Sequence, residues 1–348
     1  METTRTKRKI WLICLFGLVA IGSCAQSIAD ISGGLRNIDG TDSLYLRGFN
    51  RKNDFRLNYT SQRYLLNYGS RHKNFSTGNK FSNVSDLVGF GLTYKFIDFD
   101  IAFSLPQSQV LQTGLQNLKL FRLAGSFSSR NWTVRGYWLE GTGMVVSDAS
   151  GEFVSGPSVY MLNLGVQYTR YFNSKKFSFR AASFQNEVQL KTAGSFLLRV
   201  EPFFRRLGMG TQLVPSSLDL PATYGEQSGL SYVYAPGLLL QPGYGFNWSS
   251  RNTRWFVSPM IFGGGGVALN VYKGNSGEKT KFSVEWKGSA VLNMGYNGPR
   301  MYVSLRSSYE LDYFFLDPSY FYTTDLRLGI TFGYRFNAVE KFIPESLF

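Results

Sequence analysis

Residues 325–336 read DLRLGITFGYRF. Leu326, Leu328, Ile330, Phe332, Tyr334 and Phe336 share one parity, and Arg327, Gly329, Thr331, Gly333 and Arg335 share the other. A period of two puts each set on its own face of a β-strand. The pattern recurs along the chain. Val88, Phe90, Leu92, Tyr94 and Phe96 alternate with Gly89, Gly91, Thr93 and Lys95; Leu162, Leu164, Val166 and Tyr168 alternate with Asn163, Gly165, Gln167 and Thr169. These runs match the ~9–11 residues that a tilted membrane-spanning strand needs.

A soluble sandwich would alternate too, so the composition of the faces decides. The polar parity carries Gly, Ser, Thr, Asn and Arg, with few of the Lys and Glu residues of a solvated sheet. Aromatics also crowd the short turns. Tyr94, Phe96 and Phe99 flank a turn at Ile97-Asp98, Phe127 and Trp132 flank 128–131, and Phe172 and Phe177 flank 173–176. Trp248 and Trp255 flank 249–252, and Tyr296 and Tyr302 flank 297–300. An aromatic girdle at the periplasmic interface has this form.

The reading is an all-β fold: a transmembrane antiparallel up-and-down β-barrel with short periplasmic turns and longer outer loops at 105–116, 141–159, 271–281 and 313–323. Parity sets the strand count. If 193–203 and 238–248 both run toward the periplasm, an upward strand lies within 205–237. Counting from 55–68 then gives 14 strands, with 12 as the alternative if the N-terminal segment stays outside.

The N-terminus reads as an export signal. Arg5, Lys7, Arg8 and Lys9 precede an apolar stretch from Ile10 to Gly22, too short for a spanning helix. Ser23 and Ala25 suit a cut between Ala25 and Gln26, although Ile21-Gly22-Ser23-Cys24 also resembles a lipobox that would acylate Cys24. Cleavage after Ala25 removes both cysteines and leaves 33 basic against 22 acidic side chains, net +11. The division is therefore 1–25 signal peptide, 26–54 periplasmic arm, 55–336 barrel and 337–348 tail. Export turns the basic excess away from nucleic acid. The expected partners are outer-membrane lipid and lipopolysaccharide, the barrel-assembly machinery, and an anionic or small polar solute.

Catalysis is poorly supplied. The one histidine, His72, sits in the polar run GSRHKNFSTGNK, so a Ser-His lipid hydrolase would have to use it. No metal-ligand cluster, calcium loop, phosphate loop or nucleotide fingerprint appears, and no cofactor is expected. Stretches 141–159 and 313–323 could serve surface binding or adhesion, the latter through YFFLDPSYFYT.

The richest polar constellation is FSFRAASFQNEVQLKTAGSFLL, residues 177–198. Its apolar phase slips by one between Ala181 and Phe184, which reads as a β-bulge near Ala181-Ala182-Ser183 in a hairpin. Arg180, Gln185, Glu187, Gln189 and Lys191 then face the lumen, joined from the return strand by Ser195, Arg199 and Glu201. Phe196, Leu198 and Val200 face lipid. Buried charges of this kind must be paired. The set serves as a network that rigidifies the wall, as a solute-selecting constriction, or as an acid–base pair.

The same stretch closely resembles the central signature of a bacterial family, domain of unknown function 4421. LNYTSQRYLLNYGS, VGFGLTYKFIDFDIAF and LQPGYGFNW are similar as well, so the resemblance covers roughly 45–336. It implies an exported outer-membrane barrel of a Gram-negative bacterium. It implies no activity, substrate or catalytic residue. The matching positions, from Phe179 through Ser195, mark membership only. The chain also runs past Phe336, so the terminal aromatic that often marks such barrels for assembly is either Phe336 or Phe348.

Overall fold

The alternating runs become the wall of a closed barrel. A computed structural model describes residues 35–51, 53–70, 79–105, 119–147, 153–208, 229–316 and 319–337. In chain order the elements are β1 (Leu35–Arg36), β2 (Leu46–Phe49), β3 (Asn53–Ser70), β4 (Asn79–Tyr94), β5 (Ile97–Ser104), β6 (Lys119–Ser128), β7 (Trp132–Ser147) and β8 (Phe153–Tyr171). There follow α1 (Phe179–Ser183), β9 (Glu187–Gln189), β10 (Ala193–Gly208), β11 (Tyr232–Ser249), β12 (Trp255–Gly274), β13 (Gly277–Asn297), β14 (Met301–Leu316) and β15 (Ser319–Phe336).

Strands β3 to β8 and β10 to β15 form one antiparallel ring of twelve, closed where β15 pairs with β3 and β8 with β10. Closure leaves no edge, which is what a sheet needs where no water is available to satisfy its backbone. Near the outer end the short β5 and β6 drop out of the ring. There β4 pairs directly with β7, from Lys80↔Ser147 to Ser82↔Val145.

The side chains are partitioned inside out. Phe282, Phe196, Ile261, Trp286 and Leu240 stand exposed on the outer surface, while Arg335, Glu201, Asp98, Gln62 and Asn293 are buried within. Apolar outward and charged inward is the arrangement that lipid imposes, and a water-bathed sandwich would invert it. Rings line both levels. Phe96, Phe127, Trp132 and Tyr168 follow one another around the short-turn end, with centroids 4.9, 5.5 and 6.1 Å apart. Trp286, Tyr313 and Tyr322 stand in register across β13, β14 and β15 farther out.

Several expectations are corrected. The barrel has twelve strands rather than 14. The count falls because residues 172–192 cross no membrane: they turn into the lumen, so β10 runs outward and pairs directly with the descending β11. No extra strand is needed between them. The N-terminal segment 53–70 is itself a wall strand, so the alternative count is right for a different reason. Two predicted outer loops are largely hairpin: β14 and β15 pair to Leu316↔Ser319, and β12 and β13 to Gly274↔Gly277. Stretch 141–159 is strand on both sides of 148–152, which lie outside the described residues. The β4–β5 turn falls at Lys95-Phe96, where Lys95 takes the left-handed φ of 56° used by tight hairpins. Phe177 and Tyr302 belong to the interior, not to the girdle.

A lipid-facing charge tests the membrane assignment. Ile261→Arg, near the middle of β12, should cost about 2–4 kcal/mol, the usual penalty for a cation at the bilayer midplane. Urea unfolding in lipid vesicles measures it. A change under about 0.5 kcal/mol, the usual limit for surface substitutions away from special features, would mean this face meets water.

Candidate functional site: the plugged lumen

The site begins with a local departure from alternation. After β8 the chain turns inward, and Ser178 starts a helix instead of a strand: its Oγ accepts from Ala181 N at 2.9 Å, satisfying one of the free amides of the first turn. Two alanines follow, small and helix-compatible. The short α1 buries Phe179, Ala181 and Ala182. Phe179 and Ala182 join Phe177, Phe184, Tyr171, Leu197, Met260 and Phe262 in an apolar cluster inside the barrel, in which the Tyr171 and Phe179 rings stack at 5.5 Å. Beyond it β9 pairs with β2, and β2 with β1, so the N-terminal residues and 187–189 form a three-stranded sheet of their own.

The wall holds this insert by its main chain. Asn247 Nδ2 donates to Ser178 O at 2.8 Å, Asn293 Nδ2 to Ala182 O at 2.8 Å, and Asn297 Nδ2 to Glu187 O at 3.0 Å. Arg335 donates to Gln185 O and lies over the Phe49 ring at 3.8 Å, clasping both halves of the insert at once. Inward asparagines thus supply the donors that a helix end and a strand edge lack inside a barrel. Together these elements form a plug at the short-turn end of the barrel.

The sequence-predicted residues divide among three places. Arg180, Gln185, Glu187 and Gln189 lie in the plug, on a helix, a bend and a short strand rather than a bulged wall. Arg180 pairs with Glu187 at 3.5 Å and donates to Lys95 O at 2.8 Å. Gln189 accepts from Ser178 N and Asn247 Nδ2, both at 3.1 Å. Lys191 is exposed and faces the Tyr45 ring, so it is not lumenal. Ser195 staples the chain reversal by accepting from Phe172 N and Asn173 N at 3.1 and 3.0 Å. Arg199 and Glu201 do project inward from β10, while Phe196 faces outward. His72, Ala25 and Gln26 lie outside the described residues.

The larger charge network sits farther out, and of its members only Glu201 was among the residues expected in the lumen. Lys287 Nζ lies 2.8 Å from Glu201 Oε1, which also accepts from Tyr137, while Gln167 donates to Oε2. Arg327 bridges Glu310 at 2.7 Å and Asp325 at 2.8 Å, and Arg205 lies 3.6 Å from Glu285 and 3.5 Å from Asp312. Lower, Arg56 meets Asp98 at 3.0 Å and Asp100 at 3.3 Å. A signal for it exists in the sequence: Arg306, Ser308, Glu310 and Asp312 share one parity in VSLRSSYELDYF. Charges at every second residue of a strand belong to its inner face. Two cavities of about 80 and 100 Å³ flank Arg122, Arg135 and Arg327, which line both. Among the described residues no group of three His, Cys, Asp or Glu side chains could hold a metal ion.

Closed, apolar outward and stoppered by its own backbone, this is an outer-membrane β-barrel with an internal plug. The chain belongs to the family described as domain of unknown function (DUF4421), whose model matches residues 40–336. No curated protein matches it. Among solved structures it is similar to the outer membrane protease OmpT of Escherichia coli (10% identity, 82% of this chain and 96% of that one, TM-score 0.38). It is also similar to the beta domain of the Bordetella autotransporter BrkA (9%, 82% and 99%, 0.35) and the toluene transporter TodX of P. putida (8%, 82% and 91%, 0.27). Likeness at these values carries no functional inference.

The buried pair can be tested. Glu201→Ala leaves Lys287 buried with distant partners only, Glu310 at 3.6 Å and Asp312 at 4.0 Å. Removing one member of such a pair costs about 3–5 kcal/mol, whereas replacing both with apolar residues is often neutral. Urea midpoints in detergent should therefore fall for Glu201→Ala and largely recover in Glu201→Leu/Lys287→Met. Equal loss in both would assign the cost to packing instead.

Proposed function

We propose that the chain is a non-enzymatic, passive-transport barrel of the outer membrane, exported through residues 1–25 and closed at rest by its own plug. One observation carries the reading: the plug is fastened through wall side chains onto main-chain carbonyls at Ser178, Ala182, Gln185 and Glu187. Each such bond contributes only about 0.5–1.5 kcal/mol net. A handful of them can be exchanged for water when the insert shifts, without disturbing the wall ladder. The cavities beyond the plug, walled by Arg and acidic side chains, would favour a small charged solute over an apolar one.

The triple variant Asn247→Ala/Asn293→Ala/Asn297→Ala removes three of those donors while leaving every strand pair intact. In planar bilayers the wild type should be closed or open only briefly, and the variant should carry sustained current. Folding of both is read from the heat-dependent gel shift of a barrel. A folded variant with no current would sink the reading.

A further inference from the structure

The cavity of about 100 Å³ beside α1 is unevenly charged. Five guanidiniums line it, those of Arg56, Arg122, Arg135, Arg306 and Arg327, against the single carboxylate of Asp100. Two are already engaged, Arg56 with Asp98 and Asp100, and Arg327 with Glu310 and Asp325. Of the other three, Arg306 reaches only Ser183 O at 3.5 Å. Arg122 and Arg135 make no ion pair and no hydrogen bond among the described residues. Arg135, Arg327 and Arg122 line the same cavity as Arg306.

A second feature points the same way. Gln185 lines this cavity, is 3% exposed, and its side-chain Nε2 has no partner among the described residues. Ser304 and Ser308 add hydroxyls to the lining. Donors therefore outnumber free acceptors, of which the buried Asn293 Oδ1 is one. Asp100 and Asp325 exert a field here, but their oxygens are taken: Asp100 accepts from Arg56 and Asn58, and Asp325 from Gln62 and Arg327.

We propose that this cavity binds a phosphate-class oxoanion, free or as the monoester of a small molecule, through Arg122, Arg135 and Arg306. A guanidinium stays protonated at any physiological pH, so the three cannot shed their charge as a buried lysine could. Water would solvate them but not neutralise them. A tetrahedral dianion does both, since its oxygens accept the paired N–H groups of several forks at once. The three arginines come from β6, β7 and β14, so one ligand would tie distant strands together. Such binding does not depend on conduction and would persist in a barrel that never opens.

Calorimetry on the full-length barrel in detergent and chloride buffer tests it, with inorganic phosphate and a hexose phosphate as separate probes. At least one should bind saturably at one site. Response to both indicates the oxoanion itself, and response to the sugar ester alone indicates a monoester ligand. Arg122→Gln/Arg135→Gln should weaken binding at least tenfold, whereas Arg63→Gln on the exposed surface should leave it unchanged. Arg306→Lys, which keeps the charge and loses the fork, should also weaken it and covers the case in which the double variant fails to fold. In phosphate-free buffer the double variant should unfold at a higher midpoint than the wild type, because two uncompensated charges are gone. Absence of saturable binding to either probe, unchanged affinity in the arginine variants, or a lower midpoint would overturn the proposal.

Discussion

The structure depends on the seam where its last strand meets its first. β15 pairs with β3 without interruption from Ser319↔Ser70 to Phe336↔Asn53. In lipid an unpaired strand edge leaves a row of N–H and C=O groups with no partner, at several kcal/mol each. Closure is therefore the condition under which any of the other strands is tolerable. It also fixes the interior. Once the ring is shut, every second side chain is committed to a lumen that neither lipid nor bulk water reaches freely.

That commitment explains why the inner surface is both charged and paired. The strands run well past the ~9–11 residues needed to span, β13 from Gly277 to Asn297, so the lumen is a long one. Filling it with apolar side chains would make the inner and outer faces alike and weaken the register, because a slip of one residue exchanges the faces. Charge on one face only forbids that slip. Lys287 against Glu201 joins β13 to β10, Arg56 against Asp98 and Asp100 joins β3 to β5, and Arg327 against Glu310 ties β15 to its neighbour β14. The pairs act as cross-braces as well as register marks. Glycines leave the space they need: a Cβ on Gly91 would fall 2.3 Å from Asp100 Oδ1 and 2.6 Å from Arg56 Nε.

The wall was legible from local pattern, because alternation is a property of a few consecutive residues. Its facing is right in DLRLGITFGYRF, in 88–94 and in 162–169, down to Arg335 inside and Tyr334 outside. The strand count was not legible in the same way. Parity arithmetic assumes that every alternating run spans, and FSFRA alternates for five residues although helix begins at its third, Phe179. A phase slip between Ala181 and Phe184 suits a bulge and a helical turn equally well at that length. Ser178 was the usable clue, an N-cap residue directly before Phe179 with Ala181 N three residues on. What tips the balance is tertiary: Asn247, Asn293 and Asn297 wait on three wall positions with donors for that helix and the strand after it. No window of sequence around residue 180 contains them.

The same limit hid the lumenal arginines, though not equally. Arg306, Glu310 and Asp312 share a parity, so their inward facing could be read from one strand. Which charge meets which could not. Arg122 and Arg306 are brought to one cavity only by the barrel's closure, and their shortage of carboxylates becomes visible only when all five guanidiniums and their partners are placed together. Composition gives the opposite impression, since the strands carrying them also carry Asp54, Glu140, Glu310 and Asp325. Charge balance along a chain says nothing about charge balance in a volume a few ångströms across. In this barrel the acids cluster around Lys287, Arg205 and Arg56, and the arginines left over gather against the plug. The plug is thus bounded on one side by the apolar cluster that holds it and on the other by uncompensated positive charge. An anion arriving at that boundary would bear on both the arginines and the Gln185 amide beside α1.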